Sequence, residues 1–380
     1  MKYLVLILLL GWKISSAQVP IISFAIQKQE TEWYAQQANL WHQEINKNTG
    51  NSFAWYNYYY ATRNWMRTNI KNDKRTKAEK MLVYRNIIDS MKTFVPQSFE
   101  YNLVEWMQSW NDPAKENYLL KAYQLDSNRN ELISHMVNYG EVNRNLKMRD
   151  KYSKQWLESN LASNGLLQYA NNMLQSVDEN AIIMTEGDND TYPLWQLQSI
   201  GIRKDVYVIN ASLIQVDDYR NKLFAELKLP PISDTINTKS GATLQNAQII
   251  IQHIFNNVKD RKLYASVAMM PITLDSVKNH LHLTGILYLI SKDNINSSAI
   301  IRKNIEQVYK LDYLETNFTK DISQHYVECL NANYVVPMIT LYKEYLLSGE
   351  KEKAIQIKKR ILQLSEFCED KNAVLKQLEN

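Results

Sequence analysis

The stretch 334–366, YVVPMITLYKEYLLSGEKEKAIQIKKRILQLSE, constrains this chain more than any other feature. Leu341, Tyr345, Gly349, Ala354 and Ile361 mark two amphipathic runs broken at a single glycine. Apolar residues recurring at three and four predict a helix on each side of that break. Gly349 permits the sharp turn between them, and Ala354 lets the second helix approach the first closely. One such pair cannot bury both of its apolar stripes, so neighbouring pairs must stack against it.

The same beat runs through the first half of the chain. Trp33, Tyr34, Gln37, Leu40, Trp41 and Ile45 predict a helix from Thr31 to about Ile45, and Trp55, Tyr58, Tyr59, Thr62 and Met66 a second after a polar turn. Further helices are expected over 80–93, 98–110, 113–125 (behind Asp112-Pro113), 130–139, 143–158 and 163–176. The five marker residues of 334–366 resemble those of a tetratricopeptide (TPR) repeat. Segment 31–66 fits the pattern more loosely, with Ala38 and Trp55 at expected positions.

Composition limits the alternatives. Of 380 residues, 45% are apolar and 22% charged, which excludes a disordered chain, a collagen-like fibre and a disulfide scaffold. Gly 9 and Pro 8 are too few for a turn-rich β-sandwich or propeller. The net charge of +4 includes Lys2 and Lys13 and does not announce a nucleic-acid binder, so no nucleic-acid partner is expected. Residues 1–17 read as a secretory signal: Lys2, an apolar run from Tyr3 to Trp12, and Ser15-Ser16-Ala17 as a cleavage site. About ten apolar residues fall short of the ~20 that span a bilayer. The expectation is a soluble periplasmic or secreted protein with no integral membrane segment. Cys329 and Cys368 are either one interhelical bridge or two free thiols.

The centre of the chain changes character. Ala181–Thr185, Val206–Asn210, Leu263–Met269 and Ile286–Ile290 read as short buried strands. Helices are expected between them at 191–200, 217–227, 243–257 and 274–283, with a loop at 233–240. That alternation predicts a small parallel sheet wrapped by helices. The expected fold class is α+β, mainly α: TPR-like helical hairpins flanking a small Rossmann-like parallel α/β module. The expected division is a signal peptide at 1–17, a helical domain at 18–165, the α/β module at 166–300 and a C-terminal helical region at 301–380.

Open parallel sheets bind ligands at the carboxyl ends of their strands. The first strand there runs into Glu186, Gly187, Asp188, Asn189 and Asp190, and the second ends in Asn210. Such an oxygen-rich cluster could coordinate Ca²⁺ or Mg²⁺, or hydrogen-bond sugar hydroxyls with Trp195 or Tyr192 as a stacking face. It could also supply a general acid, if neighbours push one carboxyl up. The bland alternative is a turn, since Asp and Asn bond their own backbone and cap helices.

Gly187-Asp-Asn-Asp-Thr-Tyr-Pro-Leu-Trp195 and Gly201-Ile-Arg-Lys-Asp-Val-Tyr-Val-Ile-Asn-Ala-Ser-Leu213 resemble a bacterial family of large multi-span membrane proteins related to protein O-mannosyltransferases. Its members carry a GDNDTFPLWY-like turn and a GIRTDVRVVNLSLL-like strand in their soluble part, and TPR-like helices close their chains. The resemblance covers roughly 165–370. It implies an extracytoplasmic module that includes Gly187, Asp188, Asn189, Asp190, Trp195 and Asn210. The family's glycosyl-transfer chemistry lies in a membrane-embedded half that this sequence does not contain, so no catalytic residue carries over.

No nucleophile elbow, zinc motif or P-loop occurs. His280 and His282 fall on opposite sides of the helix expected there. Arg63, Arg67, Lys71, Lys74, Arg75, Lys77 and Lys80 form a basic stretch, read as a solvated face or a contact for an acidic partner or membrane surface. The aromatic block Phe53, Trp55, Tyr56, Tyr58, Tyr59, Tyr60 reads as stacking core or as a peptide or glycan groove. The functional expectation is a non-catalytic binding or scaffold protein, accessory to envelope glycosylation or export, holding a protein or peptide partner on its helical repeats. The rival is a glycan- or metal-binding domain, or a glycosyl-transfer enzyme, using Glu186–Asp190. No cofactor is expected beyond a divalent cation at that turn.

Overall fold

The computed structural model describes residues 17–109, 112–232, 243–315 and 320–379. The expected leader, Ala17 apart, lies outside the described residues, as do Trp110 and the loop at 233–240. The chain divides into two compact units: residues through Phe24 with Gln29–Ser127, and Ala25–Lys28 with Asn128 onward.

The first unit is helical. It contains α1 (Thr31–Lys47), α2 (Ser52–Thr68), α3 (Lys77–Phe94), α4 (Phe99–Gln108) and α5 (Glu116–Leu125). Starts are fixed by side-chain caps: Asn51 accepts from Ala54 N, Ser98 from Tyr101 N, and Thr76 with Glu79 closes a capping box. The core is aromatic. Tyr34, Trp41, Tyr56, Tyr59, Tyr60 and Tyr84 are buried, and Trp55 stacks on Phe94 at 6.1 Å. Most of the aromatic block is therefore core; Phe53 and Tyr58 alone are half-buried.

The second unit begins with α6 (Ile133–Val142), α7 (Leu146–Leu157) and α8 (Asn164–Gln175). It continues through β1 (Ile182–Thr185), α9 (Tyr192–Ser199), β2 (Tyr207–Asn210), α10 (Asp217–Glu226), α11 (Leu244–Asn257) and β3 (Leu263–Ser266). Then come β4 (Leu281–Leu283), β5 (Leu287–Ile290), α12 (Ser297–Lys303), α13 (Gln324–Asn331), α14 (Val335–Leu347), α15 (Lys351–Leu364) and α16 (Lys371–Glu379). The molecule is thus mainly α with a five-stranded sheet of order β2-β1-β3-β5-β4.

That sheet corrects the expectation of a parallel one. β1 pairs in parallel with β2 and β3, but β5 runs antiparallel to both β3 and β4. Three residues join β4 to β5, and a parallel pair needs a crossover of about a dozen or more. The helix expected at 274–283 is likewise corrected: a 3₁₀ helix spans Pro271–His280, and Leu281–Leu283 is strand. His282 accordingly lies in β4, its Nε2 3.2 Å from the Ser291 carbonyl. β1 is buried throughout, and on one face of the sheet Ile182, Met184, Ile209 and Ala265 cluster with Leu223 of α10, Ile250 and Ile254 of α11 and Val277 of the 3₁₀ helix.

At the C-terminal end α14 and α15 form the expected hairpin, with Leu341, Tyr345, Ala354 and Ile361 buried. Gly349 takes φ +76°, and Glu350 N reaches back to the Tyr345 carbonyl at 2.9 Å, the wrap that ends a helix on a left-handed residue. Cys329 and Cys368 are free thiols. Among the described residues no helix is long and apolar enough to cross a membrane.

Candidate functional site

The chain leaves β1 at Thr185 and must turn over six residues into α9. Its loop backbone has no ladder to satisfy it, so nearby side chains do so. Asp190, 3% exposed, folds back so that Oδ1 accepts from Gly187 N at 2.8 Å and Oδ2 from Glu186 N at 3.5 Å. The Ser266 hydroxyl, from the end of β3, also bonds this carboxylate. Burial pushes the Asp190 carboxyl up to about 6, against the opposing pull of those donors. The Thr191 hydroxyl donates to the Gly187 carbonyl at 2.6 Å and lies 2.8 Å from the Thr185 hydroxyl. Asn210, at the end of β2, donates to the Glu186 carbonyl (3.1 Å) and to Thr191 Oγ1 (3.0 Å). Its Oδ1 accepts from Ser212 N (2.9 Å) and Leu213 N (3.1 Å).

Glu186 points the other way. Oε2 accepts from Met270 N at 2.7 Å and Oε1 from the Thr273 hydroxyl at 2.9 Å, so the carboxylate caps the 3₁₀ helix that follows β3. β1 and β3 are neighbours, yet their continuations lead to opposite sides of the sheet, to β2 and to β4. A gap of that kind is where ligands enter open sheets. Here the protein's own carboxylate bridges it.

Trp195 corrects the expectation of a stacking face. It is completely buried, its ring 5.8 Å from Tyr192 and 5.8 Å beneath the Arg149 guanidinium. Tyr192 is buried too, tilted against Trp156 at 5.0 Å. A helix buried on all sides has no face for a sugar, and every residue from Tyr192 to Gln198 in α9 is buried. The solvent side of the turn is left to Gly187 and Asp188, with Asn189 half-buried. Asp188 and Asn189 edge a cavity of only about 20 Å³, room for about one water. Among the described residues no three His, Cys, Asp or Glu side chains gather as metal ligands would. The structure therefore brings Glu186, Asp190 and Asn210 into one network, buries Trp195 behind it, and leaves Asp188 and Asn189 at its edge.

Sequence reasoning missed the residues that anchor the second motif. Arg203, at φ +45°, grips Asp205 through two 2.9 Å bonds. The same guanidinium donates to the carbonyls of Leu174 (2.7 Å), Val177 (3.1 Å) and Asp178 (2.8 Å), at the end of α8 and just past it. Hydrogen bonds from Arg203 hold the Asp205 carboxyl down at about 2. An Arg-x-Asp beside Gly201, itself at φ +98°, was the available signal.

The first unit offers a different kind of site. A groove of about 350 Å³ lies among α1, α2 and α3. Ala35 and Ala38 keep one wall low, and His42, Tyr58, Thr62, Trp65, Arg75 and Val83 line the rest. The His42 and Tyr58 rings are 5.1 Å apart, and the Arg75 guanidinium stands 5.1 Å from the Trp65 ring.

Residues 166–328 match the family model described as TMEM260-associated domain 2. The matched span holds both motif segments and all five strands and stops short of the α14–α15 pair. No curated protein and no solved structure matches the chain.

Proposed function

We propose that this chain is an extracytoplasmic, non-catalytic binding or scaffold protein that holds a protein or peptide partner on its helical surfaces. In this reading the helices of 18–165 and 301–380 are TPR-like arrays, and 166–300 is a Rossmann-like module placed between them in sequence. One observation carries it: Glu186, Asp190 and Asn210 at the acidic turn are spent on the fold, whereas the groove of α1–α3 keeps His42 exposed and the Tyr58 and Trp65 rings half-exposed. Glu186, Asp190 and Asn210 direct their side-chain hydrogen bonds to backbone and hydroxyl groups of their own unit. The match to a domain associated with TMEM260, from a family linked to O-mannosyltransferases, favours a task accessory to envelope glycosylation over one in export.

The test is site-specific photocrosslinking in native cells. A crosslinking residue is placed at Tyr58 in the groove and, as control, at exposed Ile200 on the α/β module. A recurrent, mass-spectrometrically identified adduct from position 58 alone is expected. Equal or irreproducible adducts at both positions would refute the reading.

A further inference from the structure

The groove of α1–α3 carries more information than its shape. Its floor contains a buried hydroxyl with no partner: Thr62 is 7% exposed, and its Oγ1 makes no hydrogen bond. A helical threonine ordinarily returns that hydroxyl to a carbonyl one turn back, so an orphan at the bottom of a groove awaits an outside partner. Around it the aromatic groups are only half covered, Tyr58 and Trp65 each keeping an exposed part, and His42 is exposed. Such surfaces accept apolar side chains and main chain at small entropic cost.

The segment that brings Arg75 to the groove is one-sided in charge. Between Lys71 and Lys80 the chain has five cations against two carboxylates, a net +3. Both carboxylates are already used. Asp73 is bound by Arg75 at 2.7 Å and Lys80 at 3.2 Å, and Glu79 closes the capping box with Thr76. Lys71, Lys74 and Lys77 are exposed and pair with no carboxylate among the described residues. No Asp or Glu lines the groove.

We propose that the groove binds an extended acidic peptide segment, its main chain over Thr62 and its carboxylates toward Lys71, Lys74 and Lys77. This rests on the binding reading given above and names its partner class. A concave slot whose wall includes Arg75, continuous in sequence with the exposed Lys71, Lys74 and Lys77, suits a short acidic peptide. A nucleic acid or a membrane would call instead for a basic stripe or a broad basic face.

The experiment uses the full chain and fluorescence anisotropy. The probes are labelled eight-residue peptides that alternate valine with glutamate, glutamine or lysine. The glutamate peptide should bind about tenfold more tightly than the glutamine peptide and weaken with salt. The triple change Lys71→Gln, Lys74→Gln, Lys77→Gln should abolish that preference, with the melting temperature unchanged. Thr62→Val should weaken glutamate and glutamine peptides alike, by about threefold, the loss of one main-chain hydrogen bond. Equal affinity for the glutamate and glutamine peptides, no loss in the triple variant, or tighter binding of oligothymidylate or phosphatidylserine vesicles would overturn the proposal. If the peptides fail while the adduct at position 58 persists, only the acidic class falls; if both fail, the binding reading falls with it.

Discussion

The turn after β1 and the groove of α1–α3 are both rich in polar and aromatic side chains, and they dispose of them in opposite ways. The turn consumes its own: Asp190 and Asn210 pair loop amides and carbonyls, and Glu186 caps the next helical segment. The groove leaves the Thr62 hydroxyl unpaired and two aromatic rings half exposed. The cause is the backbone. A helix satisfies its interior amides and carbonyls within itself, so its side chains are released for other contacts. An irregular loop at the end of a buried strand cannot do that, and its Asp and Asn side chains must. An acidic cluster in such a loop is therefore weaker evidence for chemistry than its density suggests.

This contrast fails if Trp195, Asp190 and Glu186, the side chains at and behind the turn that the fold uses, can be changed without an effect on stability. The largest effect is expected from Trp195→Ala, about 3–5 kcal/mol in urea unfolding, the range for truncating a fully buried aromatic ring. A ring kept for sugar stacking would instead be removable at little cost.

Asp190→Asn probes the same contrast through pH. The Asp190 carboxyl lies at about 6 in the folded chain, against an ordinary value of 3.8. A raised carboxyl binds its proton more tightly when folded, so its contribution to stability is full below about 4 and is lost as pH rises through about 6. An asparagine at this position cannot ionise and lacks that loss. The variant should gain on wild type by up to about 3 kcal/mol between about pH 4 and pH 8. Parallel pH profiles of urea unfolding would show that Asp190 is not a buried ionising group. Glu186→Gln comes next, at about 1–2 kcal/mol. It keeps one carbonyl acceptor for Met270 N or Thr273 but gives up the charge at the helix start.

Local pattern made the helices legible, because three- and four-residue spacing and caps such as Thr76 with Glu79 are contained within a few residues. The Gly349 turn and the buried Leu341, Tyr345, Ala354 and Ile361 follow from the same local grammar. The segment after β3 reads as a helix in the sequence because Leu274, Val277 and Leu281 keep a helical interval. The chain switches to strand at Leu281, where pairing with Ile290 of β5 decides. The position of the candidate site was legible and its role was not. Glu186 is spent on Met270 and Thr273, more than eighty residues away, and Arg203 on carbonyls of residues 174–178. Such long-range partners leave no mark in the surrounding sequence. Trp195 did leave one: Tyr192, Pro193, Leu194, Trp195 and Leu197 are spread around α9 and form no single stripe, which marks a buried helix even with Gln196 and Gln198 among them.

The smallest effect is the most discriminating. Asp188 is exposed, and its backbone carbonyl holds the turn by accepting from Thr191 N (3.3 Å) and Tyr192 N (2.9 Å). Asn189 is half-buried beside the small cavity. Replacing both side chains by alanine leaves that carbonyl in place, so stability should change by no more than about 0.5 kcal/mol. A ligand of the native state must raise the melting temperature, and the rise must vanish when its contacts are removed. Melting curves of wild type and the Asp188→Ala/Asn189→Ala variant, with Ca²⁺, Mg²⁺ or an oligosaccharide, are therefore expected to coincide. A rise in wild type that disappears in the variant would give the turn a ligand after all, and the contrast with the groove would no longer hold.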